Sequence, residues 1–174
     1  MDTATEASLQ AVARALEDLA DPEIPVISLA ELGILRTVRA GADGVPEVVI
    51  TPTYSGCPAM GQIEDDIVTT LGEAGLRARV VTQLSPAWTT DWMSEAAREK
   101  LRAYGIAPPQ GGSACPTEPG VLQFSRHAAR PVDVPCPQCG SHNTTQTAPF
   151  GSTACKALYR CLDCLEPFDY FKKI

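Results

Sequence analysis

The chain has little histidine, little positive charge and no long apolar run. Its two histidines are His127 and His142, so residues 1–126 contain no imidazole that could act as base to a nucleophilic side chain. Lysine and arginine number 14 against 21 aspartates and glutamates, a formal charge of −7 at pH 7. The acid excess lies early: residues 1–106 carry 8 basic and 16 acidic side chains, residues 136–174 carry 4 and 3. Neither part has the basic face that nucleic-acid binding requires, and this excludes DNA and RNA as partners. No stretch is apolar for long enough to cross a bilayer, and residues 1–20 lack the basic start and apolar centre of a secretory leader. The expectation is a soluble, cytoplasmic protein with no membrane partner.

What the chain does have is a core-forming composition and an unusual set of thiols. With 174 residues, 44% of them apolar and 20% charged, it can build one domain of ordinary size and a small appendage. Its seven cysteines are an odd number, and four fall into two Cys-x-x-Cys pairs. In a reducing compartment that pattern points to metal ligation rather than disulfides. Cys136-Pro137-Gln138-Cys139 and Cys161-Leu162-Asp163-Cys164 are knuckles of the kind that hold a tetrahedral zinc ion, with 21 residues between them to form a hairpin. So short a module has too little core to fold without a metal staple. Strands are expected over 154–160 and 168–172, with Phe150 and Tyr159 as the small core. Four thiolates leave no open coordination position, so the ion is expected to be structural; iron, as a single centre or a cluster, is the competing metal. His142 is at most a remote substitute ligand, Cys155 is expected to pack inside its strand, and Cys115 and His127 are assigned no role.

The first part organises around Thr51-Pro52-Thr53-Tyr54-Ser55-Gly56-Cys57-Pro58. A β-rich run over 47–51 precedes it, and Met60, Ile63, Ile67 and Leu71 follow at near-helical spacing. Cys57 is thereby placed at a strand-to-helix turn, where free backbone N–H groups and the helix dipole favour a thiolate. Glu64, Asp65 and Asp66 would oppose this only if they faced inward. Upstream, a helix is expected over 5–20, then an irregular Asp21-Pro22-Glu23-Ile24-Pro25 loop. Ser28-Leu29-Ala30-Glu31 is a capping-box pattern with Gly33 as its stop. The Asp43-Gly44 step predicts a hairpin joining strands over 34–39 and 46–51. A helix over 60–74, a strand over 77–83 and a helix over 91–104 complete the pattern, and 84–93 is a tryptophan-bearing loop available to a protein partner. The predicted fold class is α+β, a small sheet covered by helices, over residues 1–107. A linker over 108–131 and the four-cysteine zinc ribbon over 132–174 follow.

Asp21-Pro22-Glu23-Ile24-Pro25-Val26, Leu32-Gly33-Ile34-Leu35-Arg36-Thr37-Val38 and Thr51-Pro52-Thr53 with Gly56-Cys57-Pro58 resemble the MIP18-like (DUF59) family of iron–sulfur assembly proteins. With the C-terminal cysteine module included, nearly the whole chain is similar to the D-subunit family of bacterial phenylacetyl-CoA epoxidases. The resemblance implies that Cys57 is the functional thiol. Asp21 and Glu23, from the acidic loop of the same small domain, are expected to converge with it on a transient iron or iron–sulfur cluster site, since carboxylate and thiolate together bind iron loosely enough to pass it on. The resemblance also implies work without turnover beside a ring-epoxidising oxygenase and its flavin and iron–sulfur reductase. A thiol enzyme using Cys57, or a purely structural zinc-ribbon adaptor, are the alternatives; a homodimer is compatible with the sequence.

Overall fold

The computed structural model describes residues 3–110 and 133–174; Cys115, His127 and most of the expected 108–131 linker lie outside the described residues. Helix α1 (Thr3–Ala15) buries Val12, and the chain then tightens through i to i−3 turns in which Leu16 is also buried. The helix is shorter than its apolar stripe because these turns take over its last part. The Asp21–Pro25 loop is pinned at both ends: Asp21 N–H donates to the Ile27 carbonyl at 2.9 Å, and Leu29 N–H to that of Leu19 at 2.8 Å.

Helix α2 (Leu29–Leu32) is a single turn that forms because its ends are satisfied. Ser28 Oγ accepts from Glu31 N–H at 3.2 Å while Glu31 Oε2 accepts from Ser28 N–H at 3.0 Å, the reciprocal box expected from the sequence. Gly33 ends it at φ +79°, and a Cβ there would sit 2.8 Å from the Trp92 carbonyl oxygen, so both conformation and space demand glycine.

Strands β1 (Leu35–Ala40) and β2 (Pro46–Ile50) form the expected antiparallel hairpin, and β3 (Arg79–Thr82) pairs parallel to β2 after crossing over through α3 (Met60–Glu73). Ile63, Ile67 and Leu71 of α3 lie buried in one cluster with Val48 and Ile50 of the sheet. The helix expected over 91–104 begins later, as α4 (Glu95–Tyr104). Thr90–Trp92 is a separate 3-10 turn, and Met93 and Ser94 are extended because Ser94 caps α4 through its side chain to Ala97 N–H.

The second sheet draws on both parts of the chain, in the order β4-β7-β6-β5. Strands β5 (Thr144–Ala148), β6 (Lys156–Cys161) and β7 (Pro167–Phe171) are an antiparallel ribbon. Strand β4 (Ile106–Ala107) emerges from α4 and adds to β7 in parallel. β5, which reads Thr-Thr-Gln-Thr-Ala, carries no apolar alternation and is not foreseen by the sequence pattern. Of the two aromatics expected to form the ribbon core, Tyr159 is buried but Phe150 is 61% exposed. Phe168 and Tyr170 take its place around Tyr159, with ring centroids at 5.9 and 5.5 Å.

The ribbon docks on the first core through its last strand. Phe171, 1% exposed, stacks at a tilt on Trp88 with centroids 6.0 Å apart, and Cys155 belongs to the same apolar cluster. Thr90 N–H donates to the Ile174 carbonyl at 3.1 Å. Trp88 is therefore no exposed loop residue: it is 3% exposed, and its Nε1–H donates to the Leu32 carbonyl at 3.2 Å. Trp92 lies under the Arg36 guanidinium, 3.4 Å from the ring centroid. The expected tryptophan partner surface is spent on internal packing. Among the described residues no helix is long and apolar enough to cross a membrane.

Phe171→Ala should cost about 3–5 kcal/mol, the usual effect of deleting a buried aromatic ring. Urea unfolding followed by tryptophan emission, which reports the first core, and by release of metal from the ribbon should shift together. A shift in the ribbon signal alone would contradict a shared core.

Candidate metal-handling cavity and the tetrathiolate centre

The four ribbon cysteines converge as the spacing predicts. The Cys136 and Cys164 sulfurs are 3.7 Å apart and those of Cys139 and Cys161 3.6 Å, and all four lie within 4.8 Å of one another. A tetrahedral ion with bonds of about 2.3 Å places its sulfurs about 3.8 Å apart, so the donor set and its spacing fit zinc. Backbone amides prepare the knuckles: Gly140 at φ +74° lets its N–H reach the Cys136 carbonyl, and Cys164 N–H donates to Cys161 Sγ at 3.4 Å. That amide, helped by Asp163's, draws the Cys161 thiol down to about 6 against the cost of desolvation. His142 stands apart, its Nδ1 2.9 Å from the Asp133 carboxylate. Asp163 ties the two knuckles by bonding Ser141 Oγ and Asn143 Nδ2.

The second site is a cavity of about 20 Å³ between the first core and the ribbon. The sequence-designated Asp21, Glu23 and Cys57 all line it, with Thr53, Thr153, Cys155 and Phe171 among the other walls. The Cys57 turn is built by two backbone bonds, Cys57 N–H to the Tyr54 carbonyl at 3.1 Å and Met60 N–H to the Cys57 carbonyl at 3.4 Å. Cys57 itself is half-buried, Glu23 is exposed at the rim, and Asp21 is buried at 5% exposure. Asp21 Oδ1 accepts from the N–H groups of Glu23 and Ile24, both at 2.9 Å, which fixes the carboxyl in place.

The electrostatics differ from the sequence expectation. Helix α3 starts at Met60 with no side-chain cap, so Cys57 lies before its first turn and the Ala59 amide alone draws the thiol down. Burial outweighs that amide, and Cys155, Glu23 and Asp21 add to it, so the Cys57 thiol is pushed up and rests protonated. Glu64 and Asp66, by contrast, are spent on Thr82 and Gln62. Asp21 is also pushed up, by burial first, against the two amides that draw it down. Burial thus disfavours the charged forms of Asp21 and of both cavity thiols, a cost that a cation would offset.

Sequence reasoning missed Cys155. It precedes β6, is 8% exposed, and faces this cavity rather than the knuckles. Thr153 Oγ1 lies 3.1 Å from its sulfur, and Lys172 N–H donates to its carbonyl at 2.9 Å. No local pattern could have placed it there, because the docking of β7 decides where it points.

Comparison with known proteins divides along the same line. The model of the family described as iron–sulfur cluster assembly protein matches residues 9–82, and that of the PaaD zinc beta ribbon domain matches residues 123–172. An Escherichia coli protein provisionally named as the D-subunit of 1,2-phenylacetyl-CoA epoxidase is 49% identical over 160 residues, 91% of this chain and 89% of its own length. An Fe–S protein maturation auxiliary factor from Porphyromonas gingivalis is 35% identical over 94 residues, covering 52% of this chain and 87% of that one. A crystal structure of a DUF59 domain of unknown function from Bacillus anthracis matches with a TM-score of 0.51 at 27% identity, over 57% of this chain and 95% of its own.

Two outcomes test this geometry. Because the folded protein holds Asp21 more readily protonated than the unfolded chain does, Asp21 favours folding at low pH, and that advantage is lost as pH rises from about 4 toward its raised native value. The melting temperature of wild type minus that of Asp21→Asn should therefore fall as pH rises from 3.5 to 7; a rising difference would contradict the burial. Cys136→Ser should release the ribbon ion and also lower the melting temperature of the first core, since Phe171 and Cys155 leave it. Unchanged metal content by elemental analysis would contradict the assignment of four cysteine ligands.

Proposed function

The chain belongs to the D-subunit family of bacterial phenylacetyl-CoA epoxidases, and on that premise we propose that it is a non-catalytic maturation subunit of such a multicomponent epoxidase. It takes up iron at Cys57 with Asp21 and Glu23 and passes it to the oxygenase or to the flavin and iron–sulfur reductase. The observation that carries this reading is the convergence of Asp21, Glu23 and Cys57 on one cavity. A buried carboxylate and a thiol together bind a first-row cation without the closed shell of the ribbon, so the ion can be given up again. The relatives named as Fe–S maturation factors support an accessory role.

Room for about one water-sized body favours a single ion over a preassembled cluster as cargo. The ribbon ion in this reading is zinc, structural and retained, because four thiolates close its shell. The whole assembly works in the cytoplasm, where thiols stay reduced. A thiol-enzyme reading has no support from the cavity, since among the described residues no histidine lines it.

Cys57→Ala should keep the ribbon zinc and the wild-type melting profile yet fail to restore epoxidase activity and reductase cluster content in a strain lacking the native gene. Equal rescue by mutant and wild type would remove Cys57 from the function.

A further inference from the structure

We propose that Cys155, carried in by the ribbon, is the second thiolate of the Cys57 site, and that the two sulfurs with Asp21 take up one thiophilic divalent cation. This deepens the iron-handling reading of the same cavity and rests on it. Cys57 comes from the part matching the iron–sulfur assembly family and Cys155 from the part matching the ribbon family. The site is therefore composite, completed when the ribbon docks.

Four observations point to it. Both thiols line the same cavity with Asp21, and Cys155 is close enough for its charge to act on Cys57. The segment that carries Cys155 approaches the Cys57 turn, because the Ala154 amide is near enough to act on the Tyr54 hydroxyl, which itself lies near both thiols and Glu23. The cavity, at about 20 Å³, has the size of one water-sized body and is lined by soft and acidic donors rather than by hydrocarbon alone. Lys156, 5% exposed and 3.7 Å from Asp169, sits where its ammonium acts on both Asp21 and Cys155, which offsets the charge that two thiolates and a carboxylate would gather.

Uptake is a ligand exchange with no redox step. The two S–H bonds break and their protons leave to water, while two metal–sulfur bonds and one bond from the Asp21 carboxylate form as three coordinated waters leave the ion. Among the described residues only the ribbon cysteines already lie at mutual ligand distance. The composite site must be drawn together by its ion, and this loose arrangement suits a site that releases what it binds.

The test uses the full chain with zinc in the ribbon, titrated anaerobically with Co(II). Wild type should bind one further equivalent with sulfur-to-cobalt charge-transfer absorption. Cys155→Ser should halve that absorption and weaken binding by about ten-fold or more, while Cys57→Ser abolishes it. Zinc content and Trp88 emission check that the variants are folded. X-ray absorption at the cobalt edge on unmutated protein should count two sulfur neighbours and needs no variant. One sulfur, or a Cys155→Ser titration equal to wild type with Cys57→Ser still inactive, would overturn the composite site and leave the Cys57 reading intact. No second equivalent bound by wild type would overturn both.

Discussion

The contact between Phe171 and Trp88 is the constraint on which the other features depend. It brings the end of β7 into the first apolar core, and from that position follow the addition of β4 to the ribbon sheet, the bond between Thr90 and Ile174, and the closure of the cavity over Cys57. Burial of two aromatic faces is worth several kcal/mol of apolar transfer, which helps to hold a ribbon whose own core is the small cluster around Tyr159, Phe168 and Tyr170. The metal at the knuckles and the aromatic contact thus cooperate: the ion shapes the hairpins, and the hairpins carry Phe171 and Cys155 to the first core.

The two thiol sites behave differently for a physical reason. At the knuckles the four sulfurs already lie within 4.8 Å of one another, so an ion is met by four ligands at once and held. In the cavity, burial and neighbouring acids push the Cys57 thiol up, so in the proposed reading a proton must leave before metal enters and its return favours release. In the proposed reading one chain carries a retained tetrathiolate and a separate site suited to exchange, and the preassembly of the four ribbon sulfurs sets which is which.

Much of the site was legible in the sequence because it depends on local grammar. The capping box at Ser28, the stop at Gly33, the Asp43-Gly44 hairpin and the paired knuckles each follow from chemistry within a few residues. Asp21, Glu23 and Cys57 could be singled out as a set, though local signals overstated the pull of the α3 dipole on the thiol, because burial is a tertiary quantity. The misplaced features share one cause. Trp88 reads as part of an exposed loop and Cys155 as a residue inside a strand, and the burial of both is decided by how the ribbon seats on the first core; Phe150 reads as ribbon core, a place that Phe168 and Tyr170 take. Periodicity within one segment carries no information about a contact between segments that are distant in the chain.

The central claim is that one chain holds two ions with unlike lifetimes, one locked among four thiolates and one exchangeable in a cavity built by both parts. Protein loaded anaerobically with zinc and then Fe(II) and challenged with a chelator should lose one equivalent of iron rapidly while one equivalent of zinc persists, followed by elemental analysis over time. Loss of both metals in a single phase, or iron that appears only at the expense of ribbon zinc, would contradict it.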